Sequence, residues 1–144
     1  MSMKIVDEGA ASIANVYGSG LSAPTSWTLR LFTDNATLDD ADQVSDRTAA
    51  TGGNYGDKTL DPVGGASPAT ISTVSGIVQI AWPEQTFDFD GPLNTNPTIY
   101  GYMIFDNSGT LIVEELLSEP FTPSQIGDNI KITPIIKLGN GNPN

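Results

Sequence analysis

The chain has 144 residues, a formal net charge of −11, and neither cysteine nor histidine. Without cysteine there are no disulfides, thiolate nucleophiles or thiolate-bound zinc, and without histidine the usual general base and commonest transition-metal ligand are missing. The length predicts one domain, residues 1–144, with a core of ordinary size.

The charge is unevenly distributed. No Lys or Arg lies between Lys58 and Lys131, whereas acidic residues continue through that stretch. Such a surface repels phosphate backbones, so we expect no nucleic-acid partner. Met1–Gly20 lacks the apolar core of a signal peptide, and no run approaches the ~20 apolar residues of a membrane span. We therefore expect no membrane association and synthesis in a cytosol.

The first predicted element is a helix from Asp7 to Gly18, with Asp7 as the N-cap and Gly18 as the C-cap. Its apolar stripe recurs at helical spacing and consists of Ala10, Ile13, Ala14 and Tyr17. The stripe is small, which predicts close packing against a neighbouring element. Residues 1–26 are thus an N-terminal arm with one short helix.

Two regions follow the arm. Trp27–Thr33 alternates between apolar and other side chains and predicts a half-buried strand. Asp34–Gly65 is polar and lacks strong periodicity, so we expect short elements within it, around Tyr55–Leu60, and contacts with partners.

Two further strands precede the centre of the chain. Ala69–Trp82 is rich in β-branched residues, and Gly76 marks a bulge or the break between two short strands. Gln85–Asp90 predicts a short strand with Phe87 and Phe89 on its buried face.

The centre of the chain is a predicted hairpin, Thr98–Leu117, with its turn at Asp106–Gly109. Its first arm is apolar on both faces. One face carries Ile99, Gly101, Met103 and Phe105, and the other carries Tyr100, Tyr102 and Ile104. This predicts a central strand covered on both sides, with a second layer or a neighbouring subunit on the outer face.

The last predicted strand is Asn129–Leu138, in which Pro134 indicates an edge position or a bulge. Residues 139–144 are expected to be a flexible tail. Together the elements predict an all-β fold, an antiparallel β-sandwich of jelly-roll or immunoglobulin-like type, with one short N-terminal helix.

No catalytic constellation emerges. Gly18-Ser19-Gly20 lacks the spacing of a nucleophile elbow, and Asp88 and Asp90 fit the outward face of a strand. We therefore expect a non-catalytic protein without a cofactor. The acidic loop Asp34–Asp46 offers oxygen ligands for calcium, but its spacing does not match an EF-hand, and solvated loop acids are the preferred interpretation.

Several segments resemble small β-sandwich structural proteins of tailed-bacteriophage virions. These segments are LRLFTDN at 29–35, ATGGNYGDKTL at 50–60, QTFDFDGPL at 85–93, TIYGYMIFDNSGTLIVEEL at 98–116, PFTP at 120–123 and GDNIKITPIIKLG at 127–139. The resemblance covers nearly the whole chain. It implies a virion component made in the host cytoplasm, most simply a capsid decoration (cement) protein that binds the assembled shell.

The implied partners are the major capsid protein or other virion proteins. The alternative is a tail-tip or fibre module that recognises a host-surface glycan through Tyr55 and the loop acids, with or without calcium. Tyr55 is the one aromatic residue expected outside a regular strand. A homo-oligomer, trimer or dimer, is expected in either case. The candidate interface residues are Ile13, Tyr17, Tyr55, Tyr100, Tyr102 and Ile104. A charge at Tyr102 or Ile104 is then expected to break assembly before it unfolds the monomer.

Overall fold

A computed structural model describes residues 3–20, 22–62 and 64–138. Within these ranges there is one helix, α1 (Asp7–Gly18), and a 3₁₀ turn at Val44–Asp46. The strands are β1 (Met3–Ile5), β2 (Trp27–Phe32), β3 (Lys58–Leu60), β4 (Thr70–Val74), β5 (Ile77–Ala81), β6 (Gln85–Asp88), β7 (Ile99–Asp106), β8 (Leu111–Phe121), β9 (Asn129–Ile132) and β10 (Ile135–Leu138). No described helix is long and apolar enough to cross a membrane.

The strands form two packed layers. The first is a five-stranded antiparallel sheet in the order β1-β8-β7-β2-β3. The second consists of β10-β5-β4 and the pair β6-β9, which are linked where the Trp82 N–H donates to the Pro134 carbonyl at 3.0 Å. The fold prediction, an all-β antiparallel sandwich with one N-terminal helix, is therefore confirmed.

Proline sets the bend in the second layer. The predicted strand Asn129–Leu138 is divided into β9 and β10 at Thr133-Pro134, because proline cannot donate a ladder hydrogen bond. Ile132, Pro134 and Ile136, which alternate along this segment, are buried. The tail predicted at 139–144 lies outside the described residues.

The central hairpin is β7–β8, with its turn where the sequence places it. The Asp106 Oδ1 accepts the N–H groups of Ser108 at 2.9 Å and Thr110 at 3.0 Å, and Gly109 adopts φ +86°. The Asp106 carboxylate thus accepts two N–H groups of the turn that would otherwise need backbone carbonyls, and this explains an aspartate at this position.

The predicted faces of β7 need one correction. The β7–β8 register shifts between Ile99 and Gly101, so a bulge changes the alternation there. Ile99 therefore shares the inner core with Tyr102 and Ile104, while Tyr100 lies with Met103 and Phe105 on the outer side. A strict two-residue period places Ile99 and Tyr100 on the wrong faces.

The outer face of β7 is covered by the chain itself. Leu38 and Val44, from the acidic stretch, pack on a small cluster that includes Phe32, Met103 and Leu111. The sequence predicts a second layer or a neighbouring subunit over this face, and the structure covers it with the chain's own acidic stretch instead. The short element expected at Tyr55–Leu60 is present as β3.

Helix α1 has the predicted bounds but a different inner face. Gly9 is buried and Ile13 and Val16 are half-buried, whereas Ala10 and Ala14 are exposed. A Cβ at Gly9 would lie 2.5 Å from the Ile112 carbonyl oxygen, so this glycine allows the helix to approach β8 closely. The face that the helix turns toward β8 is therefore decided by the small side chain at the contact and not by the apolar stripe.

The predicted helix caps are also wrong. The N-cap position is Val6, which makes no side-chain cap bond, and Asp7 is the first helical residue. Gly18 is the last helical residue, and Ser19 follows it in the right-handed region. The Val6 N–H donates instead to the Ile112 carbonyl at 3.2 Å, so β8 fixes the helix start.

Candidate functional site

The β4–β5 hairpin is the most exposed regular element of the fold. Ser75 and Gly76 join the two strands with φ values of +50° and +78°, the positive pair that a two-residue type I′ turn requires. Every residue of β4 is exposed. Of the two interpretations offered for Gly76, the break between short strands is confirmed and the bulge is wrong.

Apolar side chains are concentrated on this hairpin. The exposed fractions are 63% for Ile71, 50% for Val74 and 39% for Val78, and among the described residues only Ile126 is a further exposed large hydrophobic residue. Ile71 and Val78 lie on the core-facing side of the layer, since their neighbours Ile80 and Ile136 contact the core. The hairpin therefore extends its apolar side beyond the first sheet, where a partner can bury it.

The same segment carries no charge. Residues 62–83 contain no Asp, Glu, Lys or Arg, although the chain as a whole carries −11. The acidic surface elsewhere repels an acidic partner, whereas the uncharged hairpin does not. The charge-free hairpin is thus suited to a protein surface of either neutral or acidic character.

The outer edge of β4 can accept another strand. Within the described residues, β4 pairs with β5 and with no other named strand. The two residues that flank a two-residue turn, here Val74 and Ile77, form a hydrogen-bonded pair. Hydrogen-bonded and non-hydrogen-bonded pairs alternate along an antiparallel ladder. The N–H and C=O groups of Ile71 and Thr73 therefore point away from β5, to the outer edge. The edge has none of the lysines or prolines that usually protect such strands.

A buried ion network lies on the opposite layer. Glu114 is fully buried on β8, and Arg47 donates to it from Nε at 3.0 Å and from Nη2 at 3.1 Å. Arg47 also pairs with Asp42 and lies over the Phe32 ring, 5.7 Å from its centre. This network fastens the acidic stretch to the outer face of the first sheet.

The network shifts the protonation of both acids. Burial raises the pKa of Glu114 to about 7, with a contribution from Asp42 and against the opposing effect of Arg47. Burial also acts to raise the pKa of Asp42, but hydrogen bonds with Glu114, Asp39 and Arg47 outweigh it and lower that pKa. Because Glu114 is enclosed, it acts on stability and is out of reach of a substrate.

The acidic loop uses its carboxylates within the chain. Asp39 accepts the Ala41 N–H at 3.0 Å, and Asp46 accepts the Gln43 N–H at 2.8 Å. Asp40 lies 3.2 Å from the Lys4 ammonium. Within the described ranges, no group of His, Cys, Asp or Glu side chains has the arrangement of a metal site. Calcium binding at Asp34–Asp46 stays a hypothesis, and local turn formation already explains these acids.

A groove of about 710 Å³ opens between the two layers beside β1 and β9. Tyr102 and Glu115 line it, and the tyrosine hydroxyl donates to the glutamate. Burial, together with this hydrogen bond, raises the pKa of Tyr102, so the hydroxyl stays protonated and is a weak nucleophile. The groove thus presents a polar pair without an activated group.

Two of the candidate interface residues lie inside the single chain. Tyr102 is 5% exposed and Ile104 is 0% exposed, and both pack in the core between the layers. Their sequence pattern predicts an outer position because both faces of β7 are apolar. Neither can contribute appreciable area to a subunit contact, and a charge at Ile104 is expected to unfold the monomer.

The remaining candidates are spread over the molecule. Ile13 on α1 packs partly against the core, and Tyr100 is half-buried in the outer cluster. Tyr17 belongs to α1, but its side chain lies outside the described part of the structure. The structure therefore does not gather these residues into one surface.

Tyr55 is engaged within the chain. Its ring stacks on Phe87 with centroids 5.7 Å apart, and its hydroxyl accepts the Leu31 N–H and donates to Asp57, both at 2.8 Å. Burial raises the pKa of this hydroxyl. The residue lies outside regular strands, as predicted, but it fastens the loop before β3 to β2.

The exposed surface of the β4–β5 hairpin is not among the interface residues that the sequence predicts. Two signals in the sequence indicate it, the absence of charge over 62–83 and the Ser75-Gly76 turn between β-branched runs.

No protein-family model matches the chain, and a search of curated proteins finds no match.

Proposed function

We propose that this chain is a non-catalytic structural protein of a bacteriophage particle that binds the assembled shell as a decoration protein. The observation that carries the proposal is the exposed, charge-free β4–β5 hairpin with its unpaired edge. Such an edge binds another chain through backbone hydrogen bonds, and its apolar side adds burial. The resemblance of the segments between residues 29 and 139 supplies the virion setting.

The charge distribution supports the same function. A shell protein must stay soluble at high local concentration and must not bind nucleic acid, and a net charge of −11 serves both needs. Contacts with other acidic proteins, including further copies of the chain, are then favoured where this charge is absent, as it is over residues 62–83. The partners on this proposal are the major capsid protein or other virion proteins, and further copies of the chain.

The glycan-binding alternative depends on an accessible aromatic platform. Tyr55 has one ring face on Phe87, and its hydroxyl already makes two hydrogen bonds within the chain. A sugar would have to compete with those contacts. These contacts favour shell binding through the hairpin over glycan binding at Tyr55.

The proposal is tested by the copy number of the chain in purified particles of the phage that encodes it. Quantitative mass spectrometry against the major capsid protein should give a ratio near one. A handful of copies per particle would assign the chain to the tail, and its absence would overturn the proposal.

A matched pair of variants links that count to the hairpin. Ile71→Lys adds a charge at an exposed hairpin position, and Ser45→Lys adds the same charge on the exposed 3₁₀ turn of the other layer. We expect Ile71→Lys to reduce incorporation by about tenfold, equivalent to ~1.4 kcal/mol of binding free energy, and Ser45→Lys to leave it unchanged. Equal incorporation of both variants would separate the hairpin from shell binding.

A further inference from the structure

The outer edge of β4, with which no described strand pairs, is nearly symmetric about Ser72. The sequence Thr70-Ile71-Ser72-Thr73-Val74 has β-branched residues at the four positions around the central serine. The backbone groups of Ile71 and Thr73 point to the edge, and those of Ser72 point to Gln79 on β5.

This symmetry matches one particular pairing. If a second copy is related by a two-fold axis at Ser72, Ile71 lies opposite Thr73 of that copy, and the reverse holds on the other side of the axis. Both pairs then consist of residues whose N–H and C=O groups point at each other, which gives four backbone hydrogen bonds. Ser72 faces Ser72 of the second copy at the close, non-hydrogen-bonded position.

We propose that two copies of this chain associate by antiparallel pairing of their β4 strands about a two-fold axis at Ser72. The two three-stranded sheets β10-β5-β4 then join into one continuous sheet. The inference rests on the proposed role of the hairpin as an assembly surface: the β4 edge pairs with a second copy, and the apolar side of the hairpin at Ile71 and Val78 is left for the shell.

Charge argues for a second copy. Two chains of charge −11 repel each other over most of their surfaces. The pairing brings together only residues of the uncharged range 62–83, so no carboxylates meet across the axis. The apolar side chains of Ile71 and Val78 from both copies lie on the same, core-facing side of the joined sheet.

The dimer should be weak in dilute solution. Five paired residues per copy bury less than the roughly 1,000 Å² that stable interfaces need. On a shell that holds many copies close together, the effective concentration compensates for this weakness. The test must therefore capture a transient contact.

A single introduced cysteine can trap the transient dimer as a disulfide, and no other thiol competes because the chain has no cysteine of its own. Across the proposed axis, the two Ser72 Cα atoms are about 4.5 Å apart, within the range of a disulfide. Two Thr73 residues are offset along the strands by about 7 Å and lie beyond it. We expect the Ser72→Cys protein to form a disulfide dimer under mild oxidation at least ten times faster than the Thr73→Cys protein.

The control for random collision is Ser45→Cys, an exposed position on the other layer. Cross-linking of Ser72→Cys at the Ser45→Cys rate would overturn the proposal. Faster cross-linking of Thr73→Cys than of Ser72→Cys would overturn the two-fold axis at Ser72.

A charge swap provides an independent test. Ser72→Lys and Ser72→Glu each place like charges opposite each other and should sediment as monomers at concentrations where the unchanged chain self-associates. An equimolar mixture of the two variants should regain the dimer. Failure of the mixture to associate would contradict the pairing.

The outcomes also separate this inference from the proposed function. A Ser72→Cys protein that does not cross-link, while the unchanged chain is present at shell-like copy number, would assign the β4 edge to another protein and leave the shell function standing. Efficient cross-linking of a chain that is absent from particles would support the β4 pairing and overturn the shell function.

Discussion

Glu114 and Glu115 are adjacent in the sequence, yet their environments differ. Glu114 pairs in register with Met103 on the outer face, where Arg47 meets it, and Glu115 pairs with Tyr102 beside the groove. The apolar run Leu111–Leu117 predicts a strand but not which acid is enclosed. The partner Arg47 is 67 residues away in the chain, so no local pattern reveals the pair.

The first prediction concerns pH. The folded-state pKa of Glu114, about 7, lies above its ordinary 4.5, so its stabilising contribution is fully present below 4.5 and is lost as pH rises through 7. The loss amounts to at most roughly 3 kcal/mol. With no histidine in the chain, few other groups titrate between about pH 5 and 8. Urea unfolding should show stability that falls over this range, and Glu114→Gln should flatten the profile.

The control for this experiment is Glu119→Gln, which changes an exposed acid on the same strand. It should keep the pH dependence of the unchanged chain. A Glu114→Gln profile as steep as that of the control would show that Glu114 does not titrate in this range.

The second prediction concerns Arg47. In Arg47→Met, the buried Glu114 carboxylate loses its cation, so the free energy of unfolding at about pH 8 should fall by about 3 kcal/mol. The double variant Arg47→Met/Glu114→Leu removes both charges and should recover most of that loss. A double variant no more stable than Arg47→Met would show that the unpaired Glu114 carboxylate is not the cause of the loss.

At the scale of elements, strands and turns were largely predictable, because alternation and turn residues are local. The hairpin turn at Asp106–Gly109, the burial of Phe87 on β6 and of Phe89 just after it, and the bounds of α1 all follow from local patterns. The short strand β1 was missed, since its three residues pair with β8 and carry no period of their own. The bulge after Ile99 was missed for a related reason: register is set between strands.

The third prediction tests the packing of α1. Gly9→Ala should destabilise the protein by more than the ~1 kcal/mol that alanine contributes to helix propensity, because the new methyl group meets the β8 backbone. Gly18→Ala, in the same helix with open space around it, should be neutral or stabilising. Thermal unfolding of both variants gives the comparison, and equal melting temperatures would contradict the close helix–strand contact.

At the scale of the whole molecule, composition and alternation were sufficient to predict the sandwich. They were not sufficient to predict its surfaces, because one apolar face of β7 is covered by the second layer and the other by the chain's own acidic stretch. The exposed apolar surface lies instead on β4–β5, a segment whose sequence resembles an ordinary strand pair. Burial of a strand depends on what packs over it, which the strand's own sequence does not specify.

The fourth prediction follows from net charge. If two chains of −11 meet through an uncharged surface, salt screens their long-range repulsion without weakening any ion pair at the contact. Raising the ionic strength from about 0.02 M to about 0.3 M should therefore tighten self-association, as measured by sedimentation equilibrium. Weaker association at high salt would indicate an interface built on ion pairs elsewhere on the molecule.

The most direct test of the assembly surface is amide hydrogen exchange, resolved by residue, at low and high protein concentration. The Ser72 amide faces β5 and should be protected at both concentrations, whereas the amides of Ile71 and Thr73 should become protected only when the chain self-associates. Concentration-dependent protection confined to those two edge amides of β4 is the predicted result. Exchange at Ile71 and Thr73 that is equally fast at every concentration would contradict the account.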